Sequence, residues 1–481
     1  MVLVVCGLTP VLREGSNCMS GKTANCIRKN WKPPNSSHPV FLPFIPNLNF
    51  RSLAEMQLPT RIGWQGQEQP LMPRENILRR ISDGGVLLCM AGLVTSQALL
   101  SIGIIMVMVA GLFLFPLREQ LRRFWAHKPA VFMSLLFFVE LVSGLWARDL
   151  AMNRWLEDLT IKAPLFLGMY GLAVLGPFSL KQVRIALGLL LLGTFVAGTG
   201  TVIDYIVNAA EINHRIEISK EVQVWLGSPH IYFSVVMSFS ILGGIWYAMQ
   251  PSPLLFKGDR FVLLLLSLIC FVEMHVLTTR TGLVCLYLTI LTLGLLLLLR
   301  KRRYLLSMVL VIGLLSVPVA GYFGLESFQR RIDNTAMDVT EYFKGHDPNY
   351  LSIGTRFESW KTAINLWKEH PVLGVSKADL DADMTDQYVI DKTKLCPENF
   401  QEPHNQFLEN LAGLGIVGFL VLALAWFYPI LSKAWPKDLI FWAFWLNYTF
   451  AMMGESTLER QVGVGFLVPV FMLTLGVRSE K

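Results

Sequence analysis

Apolar stretches approaching the roughly 20 residues that cross a bilayer's hydrocarbon core recur along most of this chain. They fall at 84–98, 100–116, 130–147, 160–178, 184–207, 229–249, 261–279, 281–299, 304–323, 407–430, 439–454 and 461–477. The pattern predicts an all-α, polytopic membrane protein with about twelve transmembrane helices. The run 84–116 is too long for one helix and short for two, so hydropathy alone leaves it undecided. Two polar interruptions stand out, a medium one at 208–228 and a long one at 324–406. The long one is rich in acids and aromatics, and a connection of that length in a compact protein is usually functional or disordered. Residues 1–80 contain Pro33-Pro34, scattered Asn and Ser, and ten Lys/Arg against four Glu. They read as a basic, poorly ordered cytosolic tail, with Met72 as an alternative start.

Composition supports the membrane reading. Charged residues make up 16% of the chain and hydrophobic residues 53%, whereas soluble domains carry about 25% charged residues. The formal net charge of +7 does not point to nucleic acid, because the cations sit in short loops. Those loops hold Arg118/Arg122/Arg123/Lys128, Lys181/Arg184, Lys257/Arg260, Arg300 to Arg303, Lys433/Lys437 and Arg478/Lys481. Basic loops mark the cytosolic side. Two spans within 84–116 put all of them on one side, with both termini cytosolic. The arrangement is then a tail (1–80), spans one to nine (84–323), a large non-cytosolic loop (324–406) and spans ten to twelve (407–477). The seven cysteines show no CxxC or zinc spacing.

Within the long loop, 355–370 has helical periodicity. Thr355 and Glu358 have capping-box spacing, and Pro371 follows the end. Phe357, Trp360, Ile364 and Trp367 share one face, which suits either the outer headgroup layer or packing on the bundle. Arg356 would be the first helical residue, beside free backbone N–H groups that favour an anion; pairing with a nearby acid is the plainer alternative. Arg280 ends the seventh span, with Glu273 seven residues earlier on the same helix face. Arg148, Arg154, Lys162 and Arg215 are further outward cations, and several such donors suit a diphosphate. His404, in Pro403-His404-Asn405, enters the tenth span at the interface, where a histidine can serve as a general base or simply be structural. Gly415 and Gly418 would let that helix approach a neighbour closely.

From the seventh span onward the chain resembles the O-antigen ligase family, within the superfamily it shares with O-antigen polymerases. The resemblance rests on Arg280 after Thr278-Thr279, on Gly354-Thr355-Arg356 with Trp360, and on His370-Pro371-Val372-Leu373-Gly374. It rests above all on His404-Asn405, nine residues, then Gly415-x-x-Gly418. The motifs cover about 275–420. The resemblance implies a GT-C-like fold with a periplasmic loop, and a glycosyltransferase of the bacterial inner membrane acting in lipopolysaccharide biosynthesis. Its donor would be undecaprenyl-diphosphate-linked O-antigen, and its acceptor a sugar hydroxyl of lipid A core. Carried over by position, His404 is the general base, and Arg280 and Arg356 bind the diphosphate, joined by Arg148 and Arg215. Asn405, Gly415, Gly418, Trp360 and Glu273 support them. No cofactor or metal is implied, and the displacement would invert the anomeric centre.

Asp379-x-Asp381-x-Asp383 resembles an acidic metal-binding motif; a solvated acidic turn is the competing reading. Three other functions compete. A polymerase would use the same donor with a lipid-linked acceptor. A flippase would be expected to show internal repeats and more midplane charges. A scaffold would leave the Arg/Arg/His spacing without a use.

Overall fold

The computed structural model describes residues 73–148, 152–217, 223–300, 304–432 and 438–475. The expected tail, through residue 72, lies outside them. Among the described residues every regular element is helical apart from an isolated bridge position, as expected from the apolar periodicity. Chain order gives α1 (Pro73–Thr95), α2 (Gln97–Leu114), α3 (Leu117–Ala126), α4 (Lys128–Ser143), α5 (Met152–Lys162), α6 (Leu167–Leu175), α7 (Leu180–Val207), α8 (Ala209–Glu217) and α9 (His230–Ala248). The remainder are α10 (Asp259–Leu277), α11 (Arg280–Arg300), α12 (Tyr304–Gly324), α13 (Glu326–Phe343), α14 (Ser352–Glu369), α15 (Leu380–Ile390), α16 (Gln406–Leu431), α17 (Leu439–Gly454) and α18 (Gln461–Leu475).

The protein is a multi-pass membrane protein. Seven described segments are long and apolar enough to cross a bilayer: Gln97–Leu114, Lys128–Trp146, Trp155–Leu175, Leu180–Val207, His230–Ala248, Asp259–Leu277 and Gln406–Leu431. Arg280–Leu296, Leu439–Gly454 and Gln461–Leu475 are shorter apolar helices. Each of the twelve expected apolar runs falls on one of these segments or on α1 or α12. The run 84–116 is a pair of helices that break at Ser96, whose backbone is extended. Helix α1 begins at Pro73, inside the expected tail, because proline's fixed φ and missing N–H suit the first helical position.

The main core is aromatic and aliphatic. Trp426, Tyr448, Phe441, Phe444, Phe466 and Phe471 are fully buried between α16, α17 and α18. The connection from α12 to α16 has a smaller core of its own, built on Ala363, Leu366, Val375, Leu380, Met384, Tyr388 and Leu395 and closed against Ala412 of α16.

Helix α16 is broken inside the bundle. Gly415 has φ 62° and ψ −163°, a conformation essentially restricted to glycine. The break frees backbone groups that lipid cannot satisfy, and the turn segment 371–376 supplies their partners. Ile416 N–H donates to the Pro371 carbonyl and Val417 N–H to that of Val372, while Val375 and Ser376 N–H donate to the carbonyls of Ala412 and Gly413. A Cβ on Gly415 would lie 2.3 Å from the Val372 carbonyl oxygen. Gly415 therefore admits a loop, where the sequence suggested close approach of a neighbouring helix.

Candidate functional site

Side-chain contacts gather several helix ends at the end of the bundle that carries the long connection. Arg280, the first residue of α11, donates to Thr335 Oγ1 of α13 at 3.1 Å and to Ser352 Oγ of α14 at 3.4 Å. Its charge interacts with Asp338 and with Arg356. The turn before it is made by Thr278, whose φ of 52° stops α10 and lets the next helix begin. Arg280 and Glu273 are therefore not on one helix, as the sequence had suggested. Glu273 stays within the bundle and accepts from Thr199 Oγ1 at 2.6 Å.

Arg356 is also placed differently from its expected position. Helix α14 begins at Ser352, after a short 3₁₀ turn at Pro348–Tyr350. Arg356 is thus a full turn inside the helix and not at its N-terminal amides. The expected capping box is absent: Thr355 Oγ1 donates to the Ser352 carbonyl, and Glu358 accepts from the Tyr342 hydroxyl and from Thr393. The buried side of α14 carries Gly354, Ser359, Thr362, Ala363 and Leu366. The helix packs by its small residues, and its aromatic face turns toward α13, with Phe357 against Tyr342, Phe343 and Trp360. The Trp360 indole N–H is buried without a hydrogen-bond partner among the described residues.

Glu455, the first residue after α17, connects the predicted residues. Its carboxylate accepts from Arg356 Nη2 at 2.6 Å on one oxygen and faces His404 Nδ1 at 3.0 Å on the other. Arg356 Nη1 also donates to the Gly454 carbonyl. The Glu455 side chain is 5% exposed, against 26% for Arg356 and 27% for His404. Burial works to raise its carboxyl, but the His404 hydrogen bond and the Arg356 charge outweigh burial and hold the group below the usual carboxylate range. A carboxylate facing Nδ1 makes that nitrogen the protonated one in the neutral ring. Nε2 is left as an acceptor, with no hydrogen-bond partner among the described residues.

The backbone of His404 is held against its preference. Its φ of 47° is left-handed, which costs a non-glycine residue about 1–2 kcal/mol. Asn405 offsets this: its Oδ1 accepts from the N–H groups of Phe407 and Leu408, capping α16, and its Nδ2 donates to the Met453 carbonyl at 3.0 Å. His404 and Glu455 are thereby fixed to each other through both backbone and side chains.

Beneath this group lies a buried ionic network. Lys162, at the end of α5, pairs with Glu140 of α4 and with Glu459. Lys377 pairs with Glu409 of α16 at 2.6 Å and with Glu459 at 3.2 Å. Gln406 Nε2 donates to Glu459 at 3.0 Å and Ser456 Oγ to Glu409 at 3.2 Å. Lys162 is thus not the outward cation that its sequence position suggested, because it is 2% exposed and already paired with acids.

The remaining candidates separate from the cluster. Arg148 pairs with Asp383, and its backbone N–H donates to Asp379 at 2.6 Å. The acidic triplet thus engages an arginine, and no group of three metal-ligating side chains is gathered among the described residues. Arg215 lies on α8 and has no hydrogen bond or ion pair to the cluster among the described residues. That helix borders an open cleft of about 430 Å³ lined by Ala209, Ala210, Asn213, His214, Glu326 and Arg330. The side chain of Arg154 lies outside the described residues.

Arg280, Arg356, His404, Gly415 and Gly418 all lie within a segment that matches a known family. Residues 261–423 fit the family model described as O-antigen ligase. Over these residues the chain is similar to the O-antigen ligase family. The resemblance drawn from the motifs is borne out over this segment, roughly a third of the chain. The match ends inside α16, so Glu455 lies outside the matched residues. The chain is also 30% identical over 122 residues to an uncharacterized protein of Haemophilus influenzae. That match covers 25% of this chain and spans 30% of the relative's length.

Proposed function

We propose that the protein is a glycosyltransferase of the O-antigen ligase type, acting at the periplasmic face of the bacterial inner membrane with both termini cytosolic. In this reading it moves O-antigen glycan from undecaprenyl diphosphate to a sugar hydroxyl of lipid A core. The observation that carries the proposal is the Glu455 carboxylate bridging Arg356 and His404, with Arg280 close enough to Arg356 for their charges to interact.

The chemistry follows from these groups. Glu455 holds the Nδ1 proton, so His404 Nε2 takes the proton of the acceptor hydroxyl as that oxygen attacks the anomeric carbon. The carbon–oxygen bond to the diphosphate breaks on the opposite side, and its electron pair leaves with the lipid diphosphate. Arg280 and Arg356 stabilise the charge that develops there. One displacement inverts the anomeric centre, and the histidine proton is returned to solvent or to the leaving diphosphate. Each arginine retains donors beyond those used in its protein contacts, so both can meet a diphosphate without losing their positions.

The test is a chromosomal deletion followed by analysis of lipopolysaccharide. Loss of ligation leaves core without O-antigen while lipid-linked polymer accumulates. Core carrying single units would instead identify a polymerase, which takes the same donor. His404→Ala and Arg280→Ala are each expected to abolish transfer while the chain still inserts into the membrane; full activity in either variant removes that residue from the site.

A further inference from the structure

The last fourteen residues of α12, Val311–Gly324, and helix α13 meet at 103°. A helix that turns so sharply where an apolar helix ends runs close to parallel with the bilayer surface. The sequence of α13 divides into three faces at 3.6 residues per turn. Ser327, Arg331, Thr335 and Asp338 form a polar face turned toward the bundle. Ser327 Oγ donates to the Val276 carbonyl at 2.8 Å, Thr335 accepts from Arg280, and Asp338 is 1% exposed. Glu326, Arg330, Glu341 and Lys344 form a charged face with ion pairs along it. Between these two faces runs an apolar stripe of Phe328, Ile332, Ala336, Val339 and Phe343.

Phe328 and Val339 are buried, but Ile332 is 43% and Phe343 65% exposed. This exposed apolar surface continues that of α12, where Val319 is 57% and Phe323 82% exposed on a helix of lipid-crossing composition. The occupant of the α12 surface is lipid, and only Glu326 and Ser327, which belong to the other two faces, lie between the break at Gly324-Leu325 and Phe328 at the start of the stripe. A helix with an apolar stripe beside a strongly charged face lies in the plane of the boundary between headgroups and acyl chains.

We propose that α13 is an in-plane membrane helix: its apolar stripe lies in the headgroup–acyl boundary of the leaflet, and its polar face forms a wall of the Arg280 site. This deepens the proposed function, on which its consequence rests. It sets Arg280 at headgroup depth, where the phosphates of a membrane-anchored substrate lie and those of a water-soluble nucleotide sugar do not. The lipid contact itself holds whether or not that reading of the site is right.

The test is photo-crosslinking of the full chain in nanodiscs of phosphatidylethanolamine and phosphatidylglycerol. Benzoylphenylalanine replaces Ile332, Phe343, Met337 or Glu341 in turn, and adducts are identified by mass spectrometry. Glu341 lies opposite Ile332 on the helix, and Met337 is an exposed apolar side chain off the stripe. Roughly tenfold more phospholipid adduct is expected at 332 and 343 than at 337 and 341. Equal adducts at all four positions, none at any, or crosslinks from 332 and 343 to a second copy of the chain would each overturn the proposal. No donor or acceptor is present, so failure here is distinct from failure of the glycosyl-transfer reading. Since the bulky label at the half-buried stripe can disturb packing, Ile332→Cys bearing a nitroxide provides a second measurement. Its collision rate with oxygen should exceed that with a water-soluble nickel chelate, and the reverse order overturns the assignment.

Discussion

Replacing Glu455 with glutamine isolates what its carboxylate does for His404. The side chain keeps its volume, and its carbonyl oxygen can still accept from Arg356, now 2.6 Å from Oε1. The atom facing His404 Nδ1 changes from an acceptor to an amide donor. The imidazole must then carry its proton on Nε2, where the proposed mechanism needs a lone pair. A positioned general base contributes about 10²- to 10⁴-fold, so Glu455→Gln should lose a factor in that range from kcat. Glu455→Asp keeps the tautomer but shortens the reach, so its loss should be smaller. Glu455→Gln also removes the counter-ion of Arg356, and a hydrogen bond to a charged group contributes about 1.5–3 kcal/mol. The unfolding temperature is therefore measured alongside transfer from a lipid-diphosphate-linked glycan to lipid A core in nanodiscs. If Glu455→Gln transfers within about a factor of two of the parent from about pH 6 to pH 9, while His404→Ala is inactive, the bridge does not set the tautomer.

Gly415→Ala places a side chain in a backbone region reserved for glycine, with its Cβ 2.3 Å from a carbonyl oxygen. A loss of at least about 2–3 kcal/mol is expected, read as a lower unfolding temperature in detergent. Lys377→Met leaves Glu409 and Glu459 with fewer cations in a buried setting; breaking such a pair costs about 3–5 kcal/mol, whereas Lys368→Met on the exposed side of α14 should cost almost nothing by the same assay. Acid should loosen the His404 region. The folded carboxyl of Glu455 lies below its unfolded value, so its stabilisation is complete above the unfolded value of about 4.3 and is lost as pH falls through the folded one. Hydrogen exchange at the amides of 453–457 should rise across that window in the parent and not in Glu455→Gln.

The spans were legible because lipid admits few solutions, and runs of apolar residues near twenty long have little else to be. Arg280, Arg356 and His404 were legible from charged or titratable residues at span ends together with motif order. Their partners were not. Glu455 lies 51 residues from His404, in a short connection between two apolar helices, where an acid reads as ordinary loop polarity. Glu455 and Glu459 in so short a connection were a signal, since the chain is only 16% charged, but nothing in the sequence says which cations they meet. Lys162 failed for the converse reason. Its place near a span end suggested an outward cation, and only packing of α4, α5 and the 456–460 connection buries it between two glutamates. The capping box failed because spacing alone does not fix a helix start; the 3₁₀ turn at Pro348–Tyr350 delivers the chain into α14 one turn earlier.

The two best-defined motifs belong to one frame. Helix α14 runs from the neighbourhood of Arg356 to Glu369, and the residues after it, Pro371 to Ser376, bond into the break of α16 at Gly415. Helix α16 runs back from that break to His404, whose ring meets Arg356 through Glu455. The helices are thus tied at both ends, by backbone hydrogen bonds at the break and by charge at the site. At 1.5 Å per residue, eleven residues from His404 to Gly415 set a fixed length of about 16 Å. Adding or removing one residue would turn His404 by about 100° relative to the loop that anchors the helix. The nine-residue interval between His404-Asn405 and Gly415 is therefore a geometric requirement. It lets a histidine at the site and a glycine at the break each meet a partner from the same α14 segment.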